Sequence, residues 1–315
     1  MKKILYTVLL FAIIALPYGK LSAQEIHIEG SKFAHSIVEK WISEYKKENA
    51  HAAIHVKIGP ATENEATNLQ IVAQPVSGNG NERVVYVGRY ALLPVSNPQN
   101  PLLGKAAKGL KKKDVIDLVF EKDILSEDFD PEEKSKYTAT VYTCGSNSST
   151  AITLAEYFDQ PFGRIKGRKI LGDDIYLLNA IQKDETGITF NTLNYVFDLK
   201  SRQLKSEISL VPLSLKSKQK EALESLNIDR LLTLLEESKI ETIPVENFGL
   251  QIPEEYFNNE EVRNFINWVL IHGQQYNHEY GFLTLDQATL ASQKTQLEGN
   301  QQEYLSFTNN SPTNN

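Results

Sequence analysis

The chain has 315 residues, which is enough for about two domains of ordinary size. Its content of 41% hydrophobic residues excludes a wholly disordered protein, and its single cysteine excludes an internal disulfide framework and any cysteine-rich metal site. A net charge of −7 argues against a protein that binds nucleic acid through an excess of positive charge, so we predict no nucleic-acid partner.

The first residues have the pattern of a secretory signal peptide. Two lysines precede an apolar run over residues 4–16, and small residues up to Ala23 provide a cleavage site. The run is shorter than the roughly 20 residues of a membrane-spanning helix, and an uncleaved N-terminal anchor is the alternative. Because the one cysteine, Cys144, lies far from this run, the pattern excludes a lipid-anchored protein. We therefore predict a signal peptide at 1–23 and a soluble protein exported to the periplasm.

Beyond this segment, short strands alternate with amphipathic helices. Apolar residues that alternate with polar ones predict strands, and apolar residues at helical spacing predict helices. The predicted strands are 25–29, 53–58, 69–72, 84–93, 138–142, 187–190 and 208–213. The predicted helices are 32–47, 113–120, 148–158, 174–182, 227–237 and 262–276, and 61–68 is a helix or a turn. This alternation is typical of an α/β protein with parallel strands.

Two segments fall outside this alternation. Residues 94–101 are rich in proline and predict a connector, which is either a domain crossing or a rigid surface loop. From Ala291 onward the chain is rich in Gln, Asn, Ser and Thr without periodicity, which predicts a disordered polar tail over 291–315.

Two strand-to-helix turns are rich in hydroxyl groups. The first has Gly30 for a tight turn and Ser31 as the predicted N-cap of the helix that follows. The second begins at Cys144 and offers four hydroxyls and one amide over residues 146–150. Unpaired N–H groups and the helix dipole make a helix start a potential anion site, although Ser and Thr also cap ordinary helices. Two such turns in two α/β units favour a ligand cleft between them.

The order of these segments resembles that of the phosphate-binding subunits of ABC importers, which are periplasmic binding proteins of type II. The matching stretches cover nearly all of residues 25–285, and they are 28–33, 89–97, 144–150, 187–195, 210–213, 268–276 and 281–283. The resemblance implies a two-lobed α/β fold, with each lobe a mostly parallel sheet flanked by helices. Lobe 1 would comprise 24–95 and 192–290, and lobe 2 would comprise 96–191. Hinges are expected near residues 91–97 and 187–191.

The resemblance also implies a set of ligand-binding residues, four in the first turn and five in the second. They are Gly30, Ser31, Lys32 and Phe33, and Ser146, Asn147, Ser148, Ser149 and Thr150.

The sequence departs from the family pattern at three positions. Cys144 stands where the family usually has Arg, Ser146 where it has Asp, and Gln74 where an acidic residue often accepts a proton from phosphate. Cysteine cannot replace the bidentate, charged contact that an arginine makes with phosphate, and we expect Cys144 to be a small buried residue. Lys32 or Arg89 would have to supply the missing charge.

The sequence thus predicts a non-enzymatic, monomeric solute-binding protein without a cofactor or metal. It would capture a small oxyanion for an ABC permease in the inner membrane, with phosphate first and sulfate-like oxyanions or small carboxylates behind it. The alternative is an envelope adaptor of the same fold with a degraded ligand pocket. A secreted hydrolase that uses Ser148 ranks last, because no Gly-x-Ser-x-Gly elbow surrounds this serine.

Overall fold

The computed structural model describes residues 26–56, 69–73, 82–122, 135–145 and 149–297. Its strands are β1 Ile26–Gly30, β2 Ile54–Val56, β3 Leu69–Val72, β4 Glu82–Ser96, β5 Thr140–Cys144, β6 Arg168–Ile170, β7 Gly187–Thr192, β8 Phe197–Asp198, β9 Gln203–Leu204, β10 Ser209–Leu210 and β11 Val245–Pro253. Its helices are α1 His35–Glu48, α2 Pro101–Lys105, α3 Lys112–Val119, α4 Ser149–Tyr157, α5 Ile175–Gln182, α6 Leu193–Val196, α7 Ser217–Glu224, α8 Ile228–Glu237, α9 Glu254–Phe257, α10 Glu260–Ile271 and α11 over 287–297.

Nine of the described strands form one sheet in the order β2-β1-β3-β11-β4-β7-β5-β6, with β10 added beside β4. Strands β8 and β9 pair with each other as a separate two-stranded antiparallel sheet. The outer ladders are parallel, namely β1 with β2 and β3, and β5 with β6 and β7. The central ladders of β11 with β3 and β4, and of β4 with β7, are antiparallel. The α/β class is confirmed, and the sheet is mixed because antiparallel strands join its two parallel parts.

Strand β4 joins the two halves of the sheet. Its first part, up to Ala91, pairs with β11, whereas Leu92–Ser96 pairs with β7. The predicted connector at 94–101 is therefore wrong at its start, because Pro94 lies inside the strand opposite Phe190. Proline has no N–H to donate, but its carbonyl accepts a hydrogen bond from the Val211 N–H (3.0 Å). Neighbouring strands thus hold Pro94 in extended geometry.

The central strand β11 is absent from the sequence prediction. Phe248, Leu250 and Ile252 are buried in it, but Gly249 interrupts the alternation, and the register shifts between Phe248 and Gly249. A Cβ on Gly249 would lie 2.5 Å from the carbonyl oxygen of Val85 on β4. The glycine that obscures the strand pattern is thus required where the two strands approach closely.

Helix α1 packs its apolar face against the first half of the sheet, as the helical spacing of residues 32–47 predicts. Trp41 is fully buried, and its ring stacks on Phe248 with 6.2 Å between centroids. Its Nε1–H donates to the carbonyl of Gly273 (2.9 Å). The indole therefore finds both an apolar environment and a hydrogen-bond acceptor, and it fixes the helix that follows the first turn.

The predicted disordered tail is wrong over 291–297, because these residues belong to α11. Leu297 and Gln293 are buried, and the Gln293 side-chain oxygen accepts a hydrogen bond from the Tyr86 N–H of β4 (2.8 Å). A polar side chain that hydrogen-bonds to the sheet gives no apolar periodicity, so the sequence pattern misses the helix. Residues 298–315 and the predicted signal peptide at 1–23 lie outside the described residues.

The division into lobes stays a prediction. Strand β10 lies in the segment assigned to lobe 1, yet it pairs with Val95 and Ser96 in the second half of the sheet. None of the helices that the structure describes combines the length and the apolar character needed to cross a membrane.

Candidate functional site

The first turn joins β1 to α1. Gly30 has a φ of +117°, the Ser31 N–H donates to the carbonyl of Ile71 (3.1 Å), and a 3-10 turn over Lys32–Ala34 leads into the helix. Ser31 occupies the N-cap position of this turn, as predicted, but its hydroxyl does not hydrogen-bond to the N–H groups of the turn. Gly30 and Lys32 are exposed and Ser31 is half-buried, so these three residues face accessible space.

Phe33 belongs to the core of the protein. Its side chain is 3% exposed, and its ring packs against three other aromatic rings. The centroid distances are 5.0 Å to Tyr90, 5.8 Å to Phe248 and 5.8 Å to Phe282. The prediction that Phe33 contacts a ligand is wrong for its side chain, because the ring is buried among aromatic neighbours. It attaches the turn to the hydrophobic core.

The second turn is described only in part. Ser146, Asn147 and Ser148 lie outside the described residues, and Ser149 is described only as the first residue of α4. Thr150 is 4% exposed, and its hydroxyl donates to Oδ1 of Asp174 (2.7 Å). Cys144 is buried, as predicted, and its thiol donates to the same oxygen with 3.0 Å between sulfur and oxygen. Asp174 therefore accepts hydrogen bonds from the described residues on both sides of this turn.

Asp174 is not among the ligand-binding residues that the sequence predicts for this turn. Strands β5 and β6 are parallel neighbours, so the segments that follow them meet at the same edge of the sheet. Asp173 and Asp174 follow β6, and Cys144 ends β5. Ligands of open α/β sheets bind beyond the carboxyl ends of such strands, and this rule would have singled out the two aspartates had β6 been predicted.

One short segment, residues 191–195 after the main part of β7, connects the two turns. The side-chain amide nitrogen of Asn194 donates to the carbonyl of Phe33 (2.7 Å) in the first turn. The hydroxyl of Tyr195 donates to Asp173 (3.2 Å) beside the second turn. The side-chain amide of Asn191 donates to the backbone carbonyl of Asp174 (2.7 Å). One segment thus hydrogen-bonds both to the first turn and to the two aspartates beside the described part of the second turn.

A second connection runs through the core. The hydroxyl of Tyr90 on β4 is hydrogen-bonded to that of Thr153 on α4, and both side chains are buried. The ring of Tyr90 is one of the three that pack on Phe33. Burial raises the pKa of Tyr90, so its hydroxyl stays protonated. The helix of the second turn therefore rests on the same aromatic cluster that supports the first turn.

The charges around the two turns have both signs. Burial lowers the pKa of His35, whose ring contacts the Gly30 carbonyl (3.2 Å), while the charges of nearby carboxylates, including Asp173, oppose that shift. Burial and Asp173 raise the pKa of Tyr195, which keeps its hydroxyl a donor. Lys32 is exposed at the first turn. The region thus offers hydroxyl donors and carboxylate acceptors together.

Arg89 does not supply the charge missing from the second turn. Its Nε–H donates to the carbonyl of Thr284 (2.7 Å), and its backbone pairs with Leu283. It lines a cavity of about 750 Å³ together with residues such as Glu156, Glu236 and Glu246. None of the lining residues of this cavity belongs to either turn. Among the described residues, the Arg89 side chain hydrogen-bonds to Thr284 and to neither turn, so the structure does not bring this charge to the predicted anion site.

Glu236 in that cavity provides a pH-dependent contribution to stability. Burial raises the pKa of Glu236. The hydrogen bonds with His278 Nε2 (2.9 Å) and with the Thr284 N–H and hydroxyl (2.8 Å each) lower it by more, so the net change is from 4.5 to about 2. Because the pKa is depressed in the folded state, the stabilisation is complete above pH 4.5 and is lost as the pH falls towards 2.

We expect Glu236→Gln to lower the free energy of unfolding by about 2 kcal/mol at neutral pH and to flatten its dependence on pH over this acidic range. Urea denaturation at several pH values measures both effects. Glu237→Gln, which changes the exposed neighbouring residue, is the control and should leave the pH profile unchanged. An unaltered profile in Glu236→Gln would contradict the assignment.

The geometry of the first turn depends on Gly30. Its φ of +117° is one that side chains rarely adopt, and a Cβ would lie 2.5 Å from the carbonyl oxygen of Ile71. We expect Gly30→Ala to destabilise the protein by about 1–3 kcal/mol. Thermal denaturation would show this as a lower midpoint. Gly163→Ala is the matched control, since a Cβ there meets nothing within 4 Å, and equal losses in both variants would exclude the explanation.

Among the described residues, no three His, Cys, Asp or Glu side chains come together as metal ligands would. His27 and His55 are 6.3 Å apart on the paired strands β1 and β2, so their proximity follows from strand pairing.

Comparison with known proteins gives structural matches. No protein-family profile and no curated protein matches the chain. A putative phosphate ABC transporter substrate-binding protein from Clostridium perfringens, with bound phosphate, is 13% identical with a TM-score of 0.54, covering 83% of this chain and 100% of that one. An ABC-type phosphate transport receptor from Vibrio cholerae is 11% identical with a TM-score of 0.50, covering 83% and 100%. OxyR from Corynebacterium glutamicum is 9% identical with a TM-score of 0.51, covering 94% and 76%.

The chain therefore has the α/β fold of the type II periplasmic binding proteins, as predicted. These identities establish the fold and leave the ligand open. The match to OxyR shows that the same fold occurs outside transport proteins, so the function must be argued from the site itself.

Proposed function

We propose that the protein is an exported, non-enzymatic solute-binding protein that captures a small oxyanion between its two turns, with inorganic phosphate as the first choice. The observation that carries the proposal is the segment 191–195, which hydrogen-bonds to Phe33 in the first turn and to Asp173 and Asp174 beside the second. This shared segment supports a ligand cleft between two hydroxyl-bearing turns that lie far apart in sequence.

The chemistry of this region favours a protonated oxyanion. Ser31 and the first N–H groups of the 3-10 turn are donors, and the N–H groups at a helical start have no partner within the turn. Asp173 and Asp174 are acceptors beside the described part of the second turn, where they accept from Tyr195 and Thr150. A fully ionised anion would be repelled by the carboxylates, whereas an oxyanion that retains a proton can donate to one of them. Dihydrogen phosphate, which carries one negative charge and keeps two protons, has both features.

In the proposed cycle, the two halves of the fold close over the anion and present the closed form to an ABC permease, and the protein acts as a monomer. The similarity in fold to phosphate-transport proteins of Clostridium perfringens and Vibrio cholerae supports this role. The second candidate is an envelope adaptor with the same fold, favoured by Cys144, whose thiol contacts Asp174 where the related family usually has an arginine.

Isothermal titration calorimetry with inorganic phosphate separates the two candidates. Capture predicts micromolar or tighter binding, and Ser31→Ala combined with Thr150→Ala should weaken it by at least about tenfold. Ser31→Thr combined with Thr150→Ser retains both hydroxyls and is the matched control. No heat at millimolar phosphate in the wild type would reject capture and favour the adaptor.

A further inference from the structure

We propose a second anion site, separate from the cleft, in a cavity of about 520 Å³ at the starts of α3 and α7. Four lysines line it, namely Lys111, Lys112, Lys216 and Lys239. The ligand class is a multiply charged oxyanion. It is either an anion with at least two phosphate groups or a phosphate ester. No residue of the two cleft turns or of the segment 191–195 lines this cavity, so the two sites can be tested independently.

The backbone brings the two helix starts together. Leu110 and Leu213 form a parallel bridge, in which the Leu110 N–H donates to Pro212 (2.8 Å) and the Ser214 N–H donates to Leu110 (2.9 Å). Gly109 permits this approach, since it has a φ of +84° and a Cβ would lie 2.4 Å from the Leu213 carbonyl. The two parallel segments then turn into helices within a few residues, so both N-termini lie at one place.

Both helices begin with a lysine in the N-cap position, Lys111 for α3 and Lys216 for α7. A lysine side chain has no acceptor for the N–H groups of the first turn, and a positive charge at a helix N-terminus is unfavourable. The N-cap N–H groups are satisfied by Asp114 (2.9 Å) and Gln219 (3.1 Å), which leaves the N–H groups of the first turn without a side-chain cap. An oxyanion would complement both the lysines and these donors.

A buried hydroxyl in the cavity wall is an independent indication of a ligand. Thr242 is 4% exposed and lines the cavity. Within the part of the chain that the structure describes, its Oγ1 has no hydrogen-bond partner. A buried hydroxyl without a partner is costly, and an oxyanion in the cavity would provide the missing acceptor.

The local charge agrees with this assignment. Glu241 is the one carboxylate among the residues that line this cavity with the four lysines, and none of the four forms an ion pair with a described residue. Lys112 and Lys239 also line the neighbouring cavity of about 750 Å³, which contains carboxylates such as Glu236 and Glu246. The whole chain has a net charge of −7, so this concentration of positive charge is not a consequence of composition. Two helix starts and four ammonium groups exceed what a single small anion needs, which favours a ligand with more than one charged group.

Calorimetry of the full-length protein with inorganic pyrophosphate tests the site. We expect Lys111→Gln combined with Lys216→Gln to weaken binding by at least about tenfold, and added salt to weaken it in the wild type. Lys105→Gln combined with Lys200→Gln removes the same charge from exposed lysines outside the cavity and should change the affinity by less than about twofold. Thr242→Val should weaken binding by about fivefold, and Thr242→Ser should restore it.

The same probe distinguishes two sources of the ligand. Co-sedimentation with vesicles of phosphatidylcholine and phosphatidic acid, competed by pyrophosphate and lost in the cavity variant, would identify a lipid headgroup. Pyrophosphate binding without sedimentation would identify a free oligophosphate. The proposal is overturned if millimolar pyrophosphate produces no heat, or if the cavity and control variants lose the same affinity. The cleft variant, Ser31→Ala combined with Thr150→Ala, keeps all four lysines, so pyrophosphate binding that persists in this variant does not come from the cleft.

Discussion

Replacement of Phe33 by alanine is expected to lower the free energy of unfolding by about 3–5 kcal/mol. The side chain is 3% exposed, and its ring contacts those of Tyr90, Phe248 and Phe282. Truncation removes these contacts and leaves a cavity between rigid rings that cannot collapse to fill it. The loss is a large part of the stability of a typical domain.

Urea denaturation followed by circular dichroism measures this effect. Phe33→Leu retains most of the apolar volume and should cost less than about half as much as the alanine variant. Ile271→Ala, at a side chain that is 49% exposed, should be nearly neutral. A loss below about 1 kcal/mol in Phe33→Ala would mean that the ring does not anchor the first turn.

Asp174→Asn is expected to change how ligand binding depends on pH, on the basis of the proposed function. Asp174 accepts hydrogen bonds from Thr150 and Cys144, and an amide oxygen of the same shape can accept both. The variant loses the negative charge, which removes repulsion against doubly charged phosphate. Wild-type affinity should fall as the pH rises and phosphate loses its second proton, whereas the variant should bind phosphate at least about tenfold more tightly than the wild type under alkaline conditions.

Calorimetry with inorganic phosphate at pH values on both sides of neutrality checks this prediction. Asp159→Asn is a suitable control, because Asp159 is exposed and its φ of 56° is one that asparagine tolerates. Identical affinities and pH profiles in Asp174→Asn and the wild type would show that this carboxylate does not face the ligand.

Local patterns predict the elements that present one apolar face. Helix α1 follows from the spacing of residues such as Ile37, Trp41 and Tyr45, which the structure buries. The strand-turn-helix arrangement of the first turn follows from Gly30 between an alternating strand and an amphipathic helix, and its positive φ agrees. These features depend on residues close together in sequence, so the chain alone specifies them.

The features that the patterns miss depend on distant partners. Pro94 remains in β4 because Phe190 and Val211 lie on either side, and Gln293 continues α11 because it hydrogen-bonds to Tyr86. Asp174 becomes part of the site only through the pairing of β5 with β6. Since the partners are tens of residues away or more, neither hydrophobic period nor composition near these residues reveals the interaction.

The change of partners along β4 has a mechanical consequence for any movement of the protein. One continuous strand carries the hydrogen bonds of both halves of the sheet, with the exchange from β11 to β7 between Ala91 and Leu92. Sliding one half past the other would stretch covalent backbone, whereas a change in torsion at this junction leaves both ladders intact. We therefore expect any relative movement of the two halves to be a rotation at this junction.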